Sequence, residues 1–179
     1  MRKLKIYEIE RIDAEQFKES DKIPAVIILD NIRSAHNVGS FFRTSDAFRI
    51  AHIYLCGITA QPPNNEIRKT ALGATESVDW SYHETTEEVV KELQTKGFLV
   101  AGIEQVDNPV MLEDYRNENN QPIAMVFGNE VKGVQQSVLD MCDMAIEIPQ
   151  YGTKHSLNVS VSGGIVIWEV FKQFRDILS

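Results

Sequence analysis

The sequence predicts a three-layer α/β domain built on a mostly parallel sheet, on three observations. Apolar runs rich in β-branched residues recur at 25–29, 52–56, 98–103, 123–127 and 145–148. Their near-continuous hydrophobicity suits strands covered on both faces, as parallel strands are. Segments with helical periodicity lie between them, so strand and helix alternate along the chain. At 179 residues the chain reads as one domain, 1–179, with an N-terminal extension over 1–24 and a core over 25–179.

The N-terminus, MRKLKIYEIERIDAEQF, is mixed in charge and has neither the apolar region nor the small-residue cleavage site of a signal peptide. No apolar run is long enough to cross a bilayer, and the expected location is the cytoplasm, away from membranes. The first strand, 25–29, leads into LDNIRSAHNVGSFFRTSDAF. A dinucleotide-binding sheet would carry G-x-G-x-x-G here, but Gly39 stands alone, and no Walker-type loop is present. Any ligand is therefore held by another device.

A helix is expected over 38–48, with Asn37 as its N-cap and Gly39 allowing close approach at its start. Gly39 and Arg43 stand at i and i+4, so Asn37, the free amides and the guanidinium could converge on one anion. The same spacing suits a capped amphipathic helix with one exposed arginine, and Phe41, Phe42 and Phe48 read as core. After the strand at 52–56, Pro62-Pro63-Asn64-Asn65 precedes a helix at 66–72, and Lys96-Gly97 closes another at 86–96. The strand at 98–103 is followed by a polar connection, 107–121, around a turn at 111–116. The strand at 123–127 runs into Gly128, Asn129 and Glu130, where open α/β sheets bind ligands, although GNEVKG is also simply a good turn. A helix over 134–141 and the strand at 145–148 come next. The last helix spans 157–178; Ser156 or Asn158 could cap it, and Ser160, Ser162, Gly163 and Gly164 give it a small-residue face for a neighbouring backbone.

A net charge of −8 counts against a protein that coats nucleic acid, yet leaves room for local basic sites. Cations gather at Arg2, Lys3 and Lys5, at Arg33, Arg43 and Arg49, at Arg68 and Lys69, and at Lys132 and Lys154; such groups also suit a solvated surface. Cys56 and Cys142 have no CxxC spacing, and His36, His52, His83 and His155 are scattered, so no metal is expected.

Three segments, in order, carry a resemblance. Asn37 and Arg43 fit N-x-x-x-x-x-R; Gly128, Glu130 and Gly133 fit G-x-E-x-x-G; Ile148-Pro149, then Ser156-Leu157-Asn158-Val159-Ser160, fit I-P-x(n)-S-L-N-V-S. Over residues 31–170 this resembles the TrmH/SpoU family of the SPOUT methyltransferases, as does KTALGATESV. Arg49 departs from the pattern by standing where a glycine is usual, and no separate substrate-binding domain is expected.

The resemblance implies an α/β sheet with a C-terminal deep trefoil knot, a rare exception to unknotted chains. It implies S-adenosylmethionine as cofactor, held by Ile103, Gly128, Ile148, Ser156 and Leu157. The implied reaction is methylation of a ribose 2′-hydroxyl in RNA, in tRNA more than rRNA. Its site residues would be Arg43, Asn37, Glu130, Ser156 and Asn158. Because guanidinium stays protonated, Arg43 would grip the neighbouring phosphate and stabilise the developing alkoxide. Asn37 would hold the loop or the ribose, and Glu130 and Asn158 would position Arg43 and the substrate. A homodimer is also implied, and Val161, Ile165, Ile167, Trp168, Val170, Phe171 and Phe174 cover more than one helical stripe. The alternatives are a SPOUT enzyme acting on a base nitrogen or on rRNA, and a non-catalytic RNA-binding member. The Asn37/Arg43 pair and the SLN triplet disfavour the base nitrogen, and intact Arg43, Glu130, Ser156 and Asn158 argue against lost turnover.

Overall fold

The structure, a computed structural model, describes residues 1–118 and 120–178. Seven strands form the sheet: β1 (Ile23–Asp30), β2 (Ile50–Cys56), β3 (Trp80–His83), β4 (Leu99–Ile103), β5 (Val110–Met111), β6 (Ile123–Phe127) and β7 (Met144–Glu147). Their order is β3-β2-β1-β6-β4-β7-β5, and every pairing is parallel. All carboxyl ends therefore face one edge of the sheet.

The two central strands explain the continuous apolar runs. Ile27 and Leu29 of β1, paired with Met125 and Phe127 of β6, face a core filled by α2 (Ala35–Ala47), α3 (Asn65–Ala71) and α7 (Val159–Phe174). Val26 and Ile28 point the other way, to α5 (Thr86–Thr95) and α6 (Gln136–Leu139). Both faces are covered, so alternation with polar residues disappears.

The structure also holds elements that the sequence reading lacked. A short helix, α1 (Ala14–Glu19), lies in the N-terminal extension, started by a capping box between Asp13 and Gln16. A second, α4 (Ala74–Ser77), follows α3. Strands β3 and β5 sit at the two sheet edges, where WSYH is only partly buried and Val110–Met111 is two residues long. The connection at 107–121 contains β5 and then irregular chain, with Asn119 outside the described residues.

Three expected details change. Ser34, rather than Asn37, caps α2: its Oγ accepts the Asn37 N–H at 3.3 Å, and Asn37 lies inside the first turn. The helix expected over 134–141 shrinks to α6 because carboxylates outside it capture its leading amides. Val134 N–H goes to Glu104 Oε2 at 3.0 Å and Gln135 N–H to Asp30 Oδ2 at 2.9 Å. The last helix begins at Val159 and passes into a 3-10 turn, Arg175–Leu178.

Close approach at Gly39 is realised against α3, where a Cβ would lie 2.4 Å from the Ile67 carbonyl oxygen. Gly163 admits a ring instead of a backbone: a Cβ there would sit 2.3 Å from Phe41 Cε1. Among the described residues no helix is long and apolar enough to cross a membrane.

Candidate active site at the carboxyl ends of the strands

Strands β4, β6 and β7 end on a cavity of about 750 Å³. Its walls come from Ile103 at the end of β4, Gly128 just after β6, Ile148 just after β7, and Ser156 and Leu157 in the loop before α7. These are the five residues expected to hold a cofactor, and the fold gathers them with Glu130 and Asn158. Ile146 adds to an apolar lining.

The loop after β6 is locally determined. A Cβ on Gly128 would lie 2.0 Å from Val134 N, so only glycine lets the chain fold back there. Asn129 and Gly133 exchange backbone hydrogen bonds at 3.0 and 2.8 Å. Asn129 Oδ1 accepts the Val131 and Lys132 amides, and its Nδ2 donates to the Asn31 carbonyl at 2.8 Å, tying this loop to the end of β1.

Glu130 then reaches across to the first segment. Its Oε2 accepts the Arg33 N–H, and its Oε1 accepts the Ser34 N–H and Asn37 Nδ2, each at 2.9 Å. Partial burial raises the pKa of this carboxyl, but the hydrogen bonds from Arg33, Asn37 and Ser34 outweigh it and hold the group below its ordinary value. A carboxylate committed to three donors positions its neighbours. Asn37, nearly buried, accepts from Asn158 Nδ2 at 3.2 Å, while Asn158 Oδ1 caps α7 through the Ser160 and Val161 amides at 2.9 and 3.3 Å. One chain of side chains, Glu130 to Asn37 to Asn158, thus fastens the three segments together.

Glu104 was missed by sequence reasoning. It lines the cavity and accepts the Gln105 and Val134 amides at 2.9 and 3.0 Å. Its signal is an acidic residue directly after a buried apolar strand. Asp30, at the end of β1, is a buried counterpart, bonded to Thr86 Oγ1 at 2.6 Å and to Gln135 Nε2 at 2.9 Å.

Arg43 is placed elsewhere. Six residues beyond Asn37 it has turned about 240° around the helix, and it is exposed in a second cavity of about 820 Å³, with Arg49 and residues 10–14. The expected convergence of Asn37 and Arg43 on one anion is therefore not formed within a single chain. Ser156 is exposed on the loop of the first cavity. Among the described residues no group of three His, Cys, Asp or Glu could hold a metal ion.

A parallel sheet with a cavity at its strand ends, walled by the loops that follow β4, β6 and β7, defines a class of α/β domain that binds ligands at that edge. Residues 24–168 match the SpoU rRNA Methylase family. A Staphylococcus aureus protein carrying the name TrmH family tRNA/rRNA methyltransferase is 34% identical over 173 residues, covering 94% of this chain and 68% of that protein. YacO of Bacillus subtilis, with the same family name, is 31% identical over 157 residues, covering 87% of this chain and 61% of its own. Among solved structures, the TrmH/SpoU tRNA modifying enzyme of A. aeolicus shares the fold with a TM-score of 0.79 at 24% identity, over 92% of this chain and 81% of that one. AviRb, a SpoU methyltransferase of Streptomyces viridochromogenes solved with AdoMet, gives 0.75 at 19% identity, over 92% and 65%. The chain belongs to the TrmH/SpoU family of RNA methyltransferases.

Proposed function

We propose that this chain transfers the methyl group of S-adenosylmethionine to a ribose 2′-hydroxyl of RNA, with tRNA as substrate and the cytoplasm as its compartment. The observation that carries the reading is the Glu130–Asn37–Asn158 chain, which locks three separate segments around one strand-end cavity. The cavity suits the cofactor: Ile103, Ile148 and Leu157 offer apolar walls to a neutral adenine ring, and the volume falls in the range of small-molecule sites. Bound there, S-adenosylmethionine supplies a methyl group on a sulfonium. Three separate structures share the fold and support the reading: one of an RNA 2′-O ribose methyltransferase, one of 2′-OH methylation on tRNA, and the AdoMet complex of AviRb.

The residues of this chain would bind and orient. Gly128 and Leu157 hold the cofactor by shape, and Ser156 and Asn158 face the ribose. Arg43 would grip the phosphate beside the reacting ribose and stabilise negative charge on the 2′-oxygen as its proton passes to solvent water. Because Arg43 lies in its own chain's second cavity, the reading includes a homodimer in which each copy brings Arg43 to the other's site. The reading also includes the family's trefoil knot, supported by β7 being inserted between β4 and β5.

Single-turnover methyl transfer to bulk tRNA, followed by nucleoside mass spectrometry, tests the reaction. A ribose-methylated nucleoside is expected, and a base-methylated one would overturn the proposal. In the same assay Arg43→Ala should cut turnover roughly a hundredfold to a thousandfold while cofactor affinity stays within twofold. Activity retained within a few fold of wild type would remove Arg43 from the mechanism.

A further inference from the structure

Four non-glycine residues among the described ones hold a left-handed backbone: Asn31, Arg49, Leu72 and Asn120. Asparagine tolerates that region, whereas arginine and leucine meet a steric penalty there. Arg49 and Leu72, both at φ 51°, line the same second cavity, one after α2 and the other after α3. Glycine would take this conformation freely at position 49. A guanidinium thus stands where glycine would be unstrained, and strained backbone of this kind gathers at sites that use it.

The surroundings indicate the use. Arg43 faces the same cavity, and among the described residues neither its guanidinium nor that of Arg49 has a hydrogen bond or ion pair. Four carboxylates share the lining, and two are committed: Asp13 Oδ1 to the Gln16 N–H at 2.8 Å, and Asp46 to the Ser77 hydroxyl. Glu10 and Glu76 remain as acceptors. A third arginine, Arg11, lines the cavity with its guanidinium on the Glu10 carbonyl at 3.1 Å, and Leu72, 65% exposed, adds an apolar surface to the same lining. Cations, acceptors and an apolar wall together match the parts of a nucleotide: phosphate, sugar or base donors, and the face of a base.

We propose that this cavity takes one nucleotide of the substrate RNA flanking the methylated residue, with Arg49 joining Arg43 on the phosphate and Leu72 packing on the base. The inference rests on the RNA-methylation reading and adds Arg49 as a residue that sets affinity for the RNA. The left-handed turn after α2 is then what aims the second guanidinium.

The test is titration of bulk tRNA against wild type and Arg49→Gly between 50 and 200 mM salt, with steady-state methylation alongside. Glycine fits the backbone there, so the variant should fold, as an unchanged circular dichroism spectrum and cofactor affinity would show. Loss of one phosphate contact should weaken tRNA binding several-fold, raise KM for tRNA by more than it lowers kcat, and reduce the slope of log affinity against log salt by about one. Arg49→Lys should recover most of the slope. Leu72→Asn, which keeps the left-handed turn, should weaken binding without changing the slope. Should Arg49→Gly bind tRNA with wild-type affinity and slope while wild type methylates tRNA, the inference fails and the methylation reading stands. Should wild type neither bind nor methylate RNA, the reading fails and takes the inference with it.

Discussion

Glu130 shows how much one side chain fixes. Both carboxylate oxygens accept, one from Arg33 and the other from Ser34 and Asn37. Glu130→Gln keeps the shape but turns an amide N–H₂ toward donors. It should cost about 1–3 kcal/mol in denaturant unfolding and weaken cofactor binding through the displaced loop. The sign of the pH effect follows from the lowered pKa. A depressed carboxyl contributes stability above its ordinary value, here 4.5, and loses it as pH falls through the lower folded value. The stability gap between wild type and Glu130→Gln should therefore be flat near neutrality and close as pH drops below about 4.5; a gap unchanged at pH 3 would refute the assignment. Cys56 and Cys142 are pushed up to about 12, chiefly by burial. Neither should take up iodoacetamide at pH 8 in the native protein, by intact mass, while both should in denaturant.

The packing of α7 on α2 depends on a missing methyl group. Gly163 lets the Phe41 ring lie where a Cβ would be 2.3 Å away, and Phe41 in turn contacts Phe127 with centroids 4.9 Å apart. Gly163→Ala should destabilise by about 1–3 kcal/mol through overpacking, seen as a lower thermal midpoint. This glycine was legible only as part of a small-residue face, since sequence spacing does not say whether a ring or a backbone arrives. The same distinction runs through the fold. Strands β1 and β6 could be read because both faces are buried, whereas Trp80–His83 carries Ser81 between His52 and His83, each 2.9 Å away, and looks like loop. At the site, the residues of the cavity wall came from the family resemblance, but the Asn37–Glu130 and Asn37–Asn158 bonds join residues 93 and 121 positions apart, beyond any periodicity argument. The shared face of Gly39 and Arg43 was readable; that Asn37 looks elsewhere follows from the Ser34 cap, which moves the helix start back.

On the scale of the molecule, one face of α7 is left uncovered. Val161, Ile165 and Trp168 are 51%, 39% and 49% exposed and follow one another at helical spacing, with Trp168 stacked on Phe171. A second copy seated there would cover them, and light scattering at micromolar concentration should give twice the mass of the chain. Trp168→Glu should shift that mass toward the monomer; a wild-type monomer would refute the arrangement. The chain of bonds that joins the three segments has a further consequence, in time instead of space. A polypeptide being synthesised makes Asn37 and Glu130 long before Asn158, and each bond closes a long loop whose entropy must be met by contacts that arrive late. The strand-end cavity should therefore be among the last features to mature. In refolding experiments helix signal should return first and S-adenosylmethionine binding only with the slowest phase. A chain released before Ile148 would lack Ile148, Ser156 and Leu157, three of the five residues expected to hold the methyl donor, so a truncated product should be silent rather than a careless modifier of RNA.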